Sequence, residues 1–386
     1  MHSNKGFEYS AMKTMAIAIL DRLIPISVLA AYLHFWARLV IWRRKPLIVG
    51  VTGSVGKTTT TAMIASVLKQ SAVERLVGRV GQVTNNMNDD VGLPATLLLF
   101  DDLKEEYPPS RLAAAFLAPW RALMLCAMTD RYPKVFVLEF GAGWGGHIAR
   151  LARLAPPTIA VVTTIGPAHL ERFKTVEGVA KEKIALVKAV PPTGLVILGT
   201  EHDFVTPFTE AARSPVVLVS GRGLELAENA TRAVCRHLRI PEYLIDNGIR
   251  AFQPPKGRLN ILQFGQTTVI DDSYNANPLS MKLGLDILTK TASPADRKVA
   301  ILGFMAELGT RSPEYHREIG HYAHSRVDLL IGIGKLAKHY DPDQWFATSE
   351  ACAEQIESLL GPKDCILIKG SGSAGTRRIV EKLQQI

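Results

Sequence analysis

The chain has 386 residues, of which 47% are hydrophobic and 21% are charged. That length allows two or three domains with buried cores, and that composition excludes an intrinsically disordered protein. The four cysteines form no CxxC pair, so a reduced, cytosolic setting without a disulfide framework is expected. The net charge is +9, but residues 1–45 hold seven Lys or Arg side chains against two acids. This uneven distribution favours a local basic anchor and excludes a nucleic-acid protein with a basic surface throughout.

The basic segment also contains the most apolar stretch, residues 23–42, which Arg43-Arg44-Lys45 follows. The stretch is long enough to cross a bilayer, and the basic cluster after it would keep the following domains in the cytoplasm. Arg38 inside it equally allows an amphipathic helix that lies on the membrane surface. A third arrangement is a helix packed on the body of the protein or on a sister subunit. We expect membrane association through residues 1–45 and leave the arrangement open.

After residue 45, short apolar runs alternate with helical stretches, a pattern typical of a parallel sheet covered by helices. The first predicted strand is followed by a helix at 57–69, and a strongly apolar helix is predicted at 112–128. The strands of this first series are predicted at 47–52, 135–139, 158–164 and 195–199.

The segment FQPPKGR at 252–258 has the Pro and Gly content of a domain junction. A second series follows it, with strands predicted at 267–272, 299–304, 328–332 and 365–369 and a final helix at 374–384. The sequence therefore predicts an α/β protein in three parts. These are an apolar leader helix in 1–45, a P-loop ATPase-like central domain with a parallel sheet in 46–255, and a Rossmann-like α/β domain in 256–386.

A phosphate-binding loop follows the first predicted strand, with the sequence Gly53-Ser54-Val55-Gly56-Lys57-Thr58-Thr59. Glycines let backbone amides approach phosphate oxygens, and the helix that starts here adds a favourable dipole. Lys57 would contact the β- and γ-phosphates of ATP, and the Thr58 hydroxyl would join a Mg²⁺ shell. The loop is shorter than the commonest pattern, but the strand before it and the helix after it favour nucleotide binding over a plain turn.

Eight separated segments resemble, in order, motifs of the Mur ligase superfamily, and within it of the MurF type, which adds D-Ala-D-Ala to a UDP-muramoyl-tripeptide. They are VTGSVGKTTTT (51–61), NNMNDDVGLP (85–94), LEFGAGWGGHIARL (138–151), TTIGPAHLERF (163–173), VEGVAKEKI (176–184), IDDSYNANPLSM (270–281), GFMAELG (303–309) and IKGSGS (368–373). One such match would mean little, but eight in register across 46–386 are strong evidence.

The resemblance implies ATP and two Mg²⁺ ions as cofactors. Thr58 and Glu139 would hold one ion, and His169 would hold the second. Lys183 lies 14 residues beyond His169 and matches a lysine that is carbamylated in this family, so its carbamate would lie near both ions. Lys181 is a neighbouring candidate, as is Lys188. Ile-Ala follows Lys183 where the family usually has Gly-Glu, which leaves the role of that Glu open.

In the second domain, the resemblance implies further nucleotide contacts. Arg258 would cross the junction to reach the nucleotide phosphates. Asp272 would hold the ribose hydroxyls, and Tyr274 and Asn275 would border the adenine and the ribose. A carboxylate suits vicinal hydroxyls, and an aromatic ring suits a purine face.

The same resemblance places substrate contacts in three segments. Asn86 and Asn88 belong to an Asn-rich turn that would face the reaction centre, although an ordinary loop is a serious alternative. Glu307 and His316 would meet the incoming amino substrate. Lys369 would lie in the same cleft, where it suits a substrate carboxylate.

These residues imply an ATP-dependent carboxylate–amine ligase that acts through an acyl phosphate, with Lys57, His169 and Lys183 at the reaction centre. About 45 residues precede the first strand, too few for the UDP-sugar domain of MurF-type ligases. The acceptor is therefore expected to be a lipid-linked, peptide or other carboxylate, recognised differently or with a partner protein, and the amine an amino acid or dipeptide. The alternatives are a ligase like the poly-γ-glutamate synthases, a P-loop NTPase or kinase, and a silent membrane-bound assembly subunit.

Overall fold

The structure is a computed structural model that describes residues 25–82, 87–100, 111–127 and 132–385. Helix α1 (Ile26–Arg44) comes first. The elements that follow it, up to the domain junction, are β1 (Leu47–Thr52), α2 (Lys57–Leu68), α3 (Ser71–Val77), β2 (Val80–Gln82), α4 (Gly92–Leu97), α5 (Arg111–Ala127), β3 (Val135–Glu139), α6 (His147–Leu154), β4 (Ile159–Val162), α7 (Leu170–Phe173), α8 (Val176–Ala189), β5 (Leu195–Gly199), α9 (Val205–Ala211), β6 (Val216–Val219), α10 (Leu224–His237) and α11 (Glu242–Ala251).

The central domain is built on a parallel sheet of six strands in the order β2-β3-β1-β4-β5-β6. β1 lies in the middle and pairs with β3 on one side and with β4 on the other. β3, β4 and β5 are buried throughout, as expected of parallel strands covered by helices on both faces. The loop that follows β1 therefore lies at the topological switch point of the sheet, where successive connections run to opposite sides. Open α/β sheets bind their ligands at this position.

The C-terminal domain has a second sheet of six strands, in the order β11-β10-β9-β12-β8-β7. All of its neighbours are parallel except the hairpin pair β7 and β8. Its elements are β7 (Asn260–Phe264), β8 (Thr267–Asp272), α12 (Pro278–Thr291), β9 (Arg297–Gly303), α13 (Ser312–His324), β10 (Leu329–Ile333), β11 (Gln344–Phe346), α14 (Ser349–Leu359), β12 (Asp364–Lys369) and α15 (Arg377–Leu383), with short 3-10 helices at Gly309–Arg311, Lys335–Tyr340 and Gly372–Ala374.

The predicted α/β fold with two sheets is confirmed, and all eight predicted strands are present. Four further strands, β2, β6, β7 and β11, were not predicted. They are the four edge strands of the two sheets. An edge strand has one neighbour and part of its surface in water, so its sequence shows only a weak apolar run. β6, for example, exposes two of its four residues.

Helix α1 packs on the body of the protein against α4 and α5. It buries one stripe of apolar side chains in the core that it shares with those helices, namely Leu29, Leu33, Ala37, Val40 and Ile41. Of the three arrangements that the sequence left open, the structure therefore shows the packed one for the described part of the leader. Within residues 25–82, 87–100, 111–127 and 132–385, no helix combines the length and apolar character needed to cross a membrane.

Candidate active site

A cavity of about 360 Å³ lies where the two domains face each other. From the central domain it is lined by Ser54 to Thr59 of the phosphate loop together with Asn88, Glu139, His169 and Lys183. From the C-terminal domain it is lined by Arg258, Asp272, Tyr274, Asn275 and Lys369. The structure thus brings together most residues of the predicted site, which are scattered over more than 300 positions of the sequence. Asn86 lies outside the described residues.

The phosphate loop connects β1 to the first turn of α2. Its backbone requires glycine at position 53, where φ is 150° and an added Cβ would lie 1.9 Å from Thr163 Oγ1. The backbone amide of Ser54 donates to Thr164 O at 2.6 Å, and the Ser54 hydroxyl donates to Gly166 O at 2.9 Å. These bonds hold the loop against the chain that leaves β4. Gly56, with φ at 86°, then turns the backbone into α2.

Two lysines of the central domain approach the cavity with no direct partner. Lys57 begins α2, and Lys183 projects from α8 with 1% of its surface exposed. Within the parts of the chain that the structure describes, neither ammonium group has a hydrogen bond or an ion pair. Burial lowers the pKa of Lys57, and Glu139 partly opposes that effect. Burial and the nearby charge of Lys57 hold the pKa of Lys183 well below its ordinary value.

Helix α8 explains why Lys183 rather than a neighbour lies at the site. The side chain of Thr175 caps the helix by accepting from Gly178 N at 3.1 Å. The buried face of α8 includes Lys183, whereas Lys181 and Lys188 lie on its exposed face. The two lysines that the sequence left as alternatives therefore point away from the cavity.

Glu182, beside Lys183, was not identified from the sequence. Its carboxylate accepts from Gly146 N at 2.6 Å and from Ile148 N at 2.7 Å, where α6 begins. It thereby fixes the loop after Glu139 against the helix that carries Lys183. The two partners lie 36 and 34 residues away in the chain, so no local pattern indicates this contact.

Glu139 ends β3 and is buried beside the phosphate loop. The amide nitrogen Nδ2 of Asn88 donates to Glu139 Oε1 at 2.8 Å. Asp89, the next residue, accepts from the backbone amides of Val91 and Gly92 and so shapes the turn. Asn88 and Asp89 therefore belong to the cavity wall, and Asn88 orients the carboxylate that the sequence suggests as a metal ligand.

His169 forms a contact between the domains. Its Nδ1 is hydrogen-bonded to Glu307 of the C-terminal domain, and this bond lowers the pKa of Glu307. The backbone amide of Glu171 also donates to Glu307 O at 3.0 Å. His169 and Glu307 both have φ in the left-handed region, at 54° and 60°. The contact leaves Nε2 of His169 as the ring nitrogen available to another ligand.

On the C-terminal wall of the cavity, Lys369 has protein partners that the sequence did not indicate. Lys369 was expected to meet a substrate carboxylate, but its ammonium group donates to Asp272 Oδ2 at 2.6 Å and to Asn275 O at 2.8 Å. The register of β12 on β8 places positions 369 and 272 side by side. Burial raises the pKa of Asp272 and lowers that of Lys369, and each charge opposes the shift in the other.

Arg258 and Tyr274 form the adjoining part of this wall. The guanidinium carbon of Arg258 lies 3.9 Å from the centre of the Tyr274 ring, a cation–π distance. Nε of Arg258 is buried and has no hydrogen-bond partner among the described residues. Asn277, which also lines the cavity, caps α12 by accepting from Ser280 N at 2.9 Å. Its Nδ2 donates to Ser54 O of the phosphate loop, in the central domain, at 3.2 Å. This bridge between the domains joins residues 223 positions apart, so no local sequence pattern indicates it.

His316 was expected to meet the amine substrate, but it is fully buried and lines neither the first cavity nor the one that borders Glu307. Its Nε2 accepts from Met305 N at 3.0 Å, and its Nδ1 donates to Ser312 O at 2.6 Å. Burial lowers the pKa of His316 to about 4, so the ring is neutral. It supports the loop that carries Glu307. That loop borders a second cavity of about 590 Å³, which Lys174 and Arg311 also line.

The family of the chain follows from comparison with known proteins. The model of the Mur ligase middle domain matches residues 51–108 and 121–239. The model of the Mur ligase glutamate ligase domain matches residues 257–372. The chain belongs to the Mur ligase family, and it is an ATP-dependent ligase that forms C–N bonds.

Its relatives place it near the MurF type within that family. It is 28% identical over 399 residues to the UDP-N-acetylmuramoyl-tripeptide–D-alanyl-D-alanine ligase of Synechocystis sp., covering 92% of this chain and 78% of that protein. It is 27% identical over 400 residues to the ligase of the same name from Escherichia coli, covering 91% and 80%.

Solved structures show the same fold. The MurF ligase from Thermotoga maritima in complex with ADP has a TM-score of 0.74 at 22% identity, covering 94% of this chain and 84% of that one. MurF from Acinetobacter baumannii has a TM-score of 0.72 at 24% identity, covering 91% and 80%. E. coli FolC in complex with DHPP and ADP has a TM-score of 0.63 at 17% identity, covering 94% and 99%.

Proposed function

We propose that this ligase uses ATP to activate the carboxylate of a muramoyl-peptide acceptor and joins it to D-alanyl-D-alanine. The names of its MurF relatives suggest both substrates. The observation that carries the proposal is the cavity between the domains. In it the phosphate loop, Glu139 and Lys183 face Arg258 and Asp272 of the second domain. A site divided in this way can close on a nucleotide from one side and on a reacting carboxylate from the other.

ATP fits the cavity with its phosphates at the loop that begins α2. The loop amides and Lys57 would hold the phosphates, and Arg258 would reach them from the other domain. Tyr274 would border the base. Asp272 is available to ribose hydroxyls through its Oδ1, because its Oδ2 accepts from Lys369. The ADP in the Thermotoga maritima MurF structure supports nucleotide binding in this fold.

Thr58 and Glu139 suit one Mg²⁺ ion that ATP phosphates would share, and a carbamate on Lys183 would supply ligands for a second. Among the described residues, no group of three or more His, Cys, Asp or Glu side chains could hold a metal ion. Thr58 and Glu139 supply oxygen donors, and His169 supplies a nitrogen at the same cavity. An unprotonated amine reacts with CO₂, and the lowered pKa of Lys183 favours that form. Its carbamate would complete an oxygen-rich set for two Mg²⁺ ions, which would neutralise charge on the transferring phosphoryl group.

The chain's own residues account for the remaining requirements of the reaction. An oxygen of the acceptor carboxylate attacks the γ-phosphorus of ATP, and ADP leaves. The amine then attacks the acyl carbon, and phosphate leaves. Lys57 stabilises the charge that develops on the phosphoryl oxygens. The contacts of His169 with Glu307 and of Asn277 with Ser54 hold the domains together, which excludes water from the acyl phosphate.

The second cavity is proposed to receive the amine substrate. It adjoins Glu307 and has two basic side chains, Lys174 and Arg311. A dipeptide has a carboxylate at one end and an amine at the other. In the structure Lys174 Nζ donates to Glu171 O at 2.8 Å and Arg311 pairs with Glu314, so a substrate carboxylate would replace these partners.

We also propose that the catalytic domains work at the cytoplasmic membrane, where an acceptor with a lipid anchor would be found, and that a partner protein contributes to acceptor recognition. Two features of the leader support this location. Residues 1–45 combine an apolar stretch with a basic cluster. Helix α1 also lies close to the Asn-rich turn of the active site, since His34 Nε2 is 3.4 Å from Asp90 Oδ1.

The test is a reconstituted reaction with Mg-ATP, UDP-muramoyl-tripeptide and D-alanyl-D-alanine. We expect ADP to form only when both the acid and the amine are present, and mass spectrometry to show the amide product. Lys57→Ala should abolish product formation, whereas Lys181→Ala, which changes an exposed lysine of α8, should not. ADP release without the acid and the amine would identify an NTPase instead, and a phosphorylated stable product would identify a kinase. L-Glutamate as the sole accepted amine would favour the poly-γ-glutamate alternative.

A further inference from the structure

Two helices on the surface of the central domain show large apolar side chains to water. On α1, Tyr32, Phe35 and Trp42 are 37%, 63% and 70% exposed. On α5, Phe116, Trp120 and Leu123 are 86%, 64% and 57% exposed. Each set follows the spacing of one helix face. We call these six side chains the aromatic face.

The two stripes form one surface because both helices bury their opposite sides in the same core. Leu33 and Val40 of α1 and Ala118 and Ala122 of α5 are fully buried members of one hydrophobic cluster. The helices pack directly on each other. The exposed stripes therefore point away from a shared interior.

This surface is unusual for a protein in water. Single exposed apolar residues are common, but a contiguous patch built from aromatic rings marks a site of interaction. Its charge is equally one-sided. The sequences of α1 and α5 contain five arginines and no Asp or Glu. Arg44 and Arg121 are partly buried and donate to backbone carbonyls of Leu125 and Leu99, so the exposed charge comes from the others. Arg38, Arg43 and Lys45 are exposed beside the aromatic face.

We propose that the aromatic face docks on an anionic lipid bilayer, with α1 and α5 lying along the membrane surface. This inference rests on the membrane location proposed above and adds the surface that would make the contact. Half of that surface lies on α5, outside the leader. Trp and Tyr rings favour the headgroup region, where one part of the ring is apolar and the other is wet. Each basic side chain near an anionic surface adds about 1 kcal/mol of attraction.

Two other partners could cover the aromatic face, a second copy of the chain and residues 1–24, and the charges argue against both. A second copy of the chain would bring the same arginines opposite themselves, and like charges repel across an interface. Residues 1–24 contain Lys5, Lys13 and Arg22 against two acids, so they offer no excess of negative charge either. An anionic lipid surface supplies both an apolar layer and the complementary charge.

Docking in this orientation would place the reaction centre near the bilayer. His34 of α1 lies 3.4 Å from Asp90 of the Asn-rich turn, and Asn88 of that turn donates to Glu139. One helix layer therefore separates the aromatic face from the wall of the cavity. An acceptor anchored in the membrane would reach this side of the enzyme directly.

The experiment measures flotation of the full chain with vesicles of phosphatidylglycerol and phosphatidylcholine, and with vesicles of phosphatidylcholine alone. We expect binding to the anionic vesicles that weakens with salt. A quadruple variant, Phe35→Ser, Trp42→Ser, Phe116→Ser and Trp120→Ser, should lose at least about tenfold in affinity. The matched control replaces two exposed apolar side chains elsewhere, Tyr243→Ser on α11 and Ile261→Ser on β7, and should bind as the unchanged protein does.

Two further measurements distinguish the explanations. Ligase activity on soluble substrates, measured for each variant, reports folding and tests the proposed reaction independently of lipid binding. Analytical ultracentrifugation reports the oligomeric state. The proposal is overturned if the full chain does not float with anionic vesicles, or if an active quadruple variant floats as well as the unchanged protein. It is also overturned if the quadruple change converts a dimer to a monomer without changing vesicle binding, because the face would then be a contact between copies.

Discussion

Two of the lysines that line the active-site cavity, Lys183 from the central domain and Lys369 from the C-terminal domain, have different surroundings. Lys369 of the C-terminal domain and Lys183 of the central domain are each 1% exposed. Lys369 donates to a carboxylate and to a backbone carbonyl. Lys183 has no such partner within the described parts of the chain, and the nearby Lys57 makes its charged form still less favourable. A buried amine without a partner either loses its proton or requires a bound ligand that provides a counter-charge or a hydrogen-bond acceptor.

The same contrast holds for the two walls as a whole. Behind the C-terminal wall, next to Asp272, Asp271 accepts from Ser273 Oγ at 2.6 Å and from Gly257 N at 3.1 Å, so its charge is satisfied before a ligand arrives. On the central wall, Lys57 and Lys183 lie near each other with Glu139 as the common counter-charge. We infer that the acidic part of the C-terminal wall is preformed, whereas the central wall is completed by phosphate, metal and carbamate. Arg258, whose buried Nε has no partner among the described residues, would also be completed by phosphate.

The largest expected effect is the loss of activity in Lys183→Ala. If the amine acts as a carbamate, its removal should lower kcat by about 10³-fold, comparable to the loss of a group that stabilises transition-state charge. Adding a short carboxylic acid should restore part of the activity of Lys183→Ala, because a free carboxylate can occupy the space of the carbamate. Lys188→Ala, an exposed lysine on the same helix, is the control and should retain full activity. A fully active Lys183→Ala would remove this residue from the reaction centre.

The second prediction concerns stability and gives the two lysines different outcomes. Lys369→Met leaves Asp272 buried without its partner and should reduce the free energy of unfolding by about 3–5 kcal/mol. Lys183→Met removes a buried amine that has no partner and should leave stability unchanged or raise it. Urea unfolding of the ligand-free protein measures both. Adding Asp272→Asn to Lys369→Met should recover part of the loss. If both methionine variants lowered the free energy of unfolding by the same amount, Lys183 and Lys369 would not differ in the way that their partners indicate.

The sequence allowed the central parts of the fold and site to be predicted because their signals are local. The phosphate loop is a continuous segment between a strand and a helix, and the eight inner strands are apolar runs. The ion pair of Lys369 with Asp272 depends on β12 lying next to β8, which brings together residues 97 positions apart. Similarly, α1 is apolar on both sides, so its sequence could not show which side the protein buries. Long-range packing is the common cause of these misses.

The third prediction uses the pH dependence of stability. His316 is buried and neutral, with a pKa of about 4 against an ordinary value of 6.5. Between these values the unfolded chain binds more protons than the folded one, so the stability that His316 provides is present above pH 6.5 and is lost as the pH falls towards 4. The full loss is about 3 kcal/mol. Denaturation midpoints measured across this range should fall less steeply for His316→Gln, and an unchanged slope would show that His316 does not govern it.

The smallest expected effect concerns the hydrogen bond that joins the two walls. Asn277 both caps α12 and donates to Ser54 O of the phosphate loop. Asn277→Ala removes both contacts and should lower the free energy of unfolding by about 1 kcal/mol through the lost cap. Asn277→Ser preserves a capping oxygen but is too short to reach the loop, so it should retain stability and raise the KM for ATP by a few-fold. Equal KM values for Asn277→Ser and the unchanged protein would mean that the walls meet without help from this bond. A raised KM would show that the preformed C-terminal wall helps to position the phosphate loop.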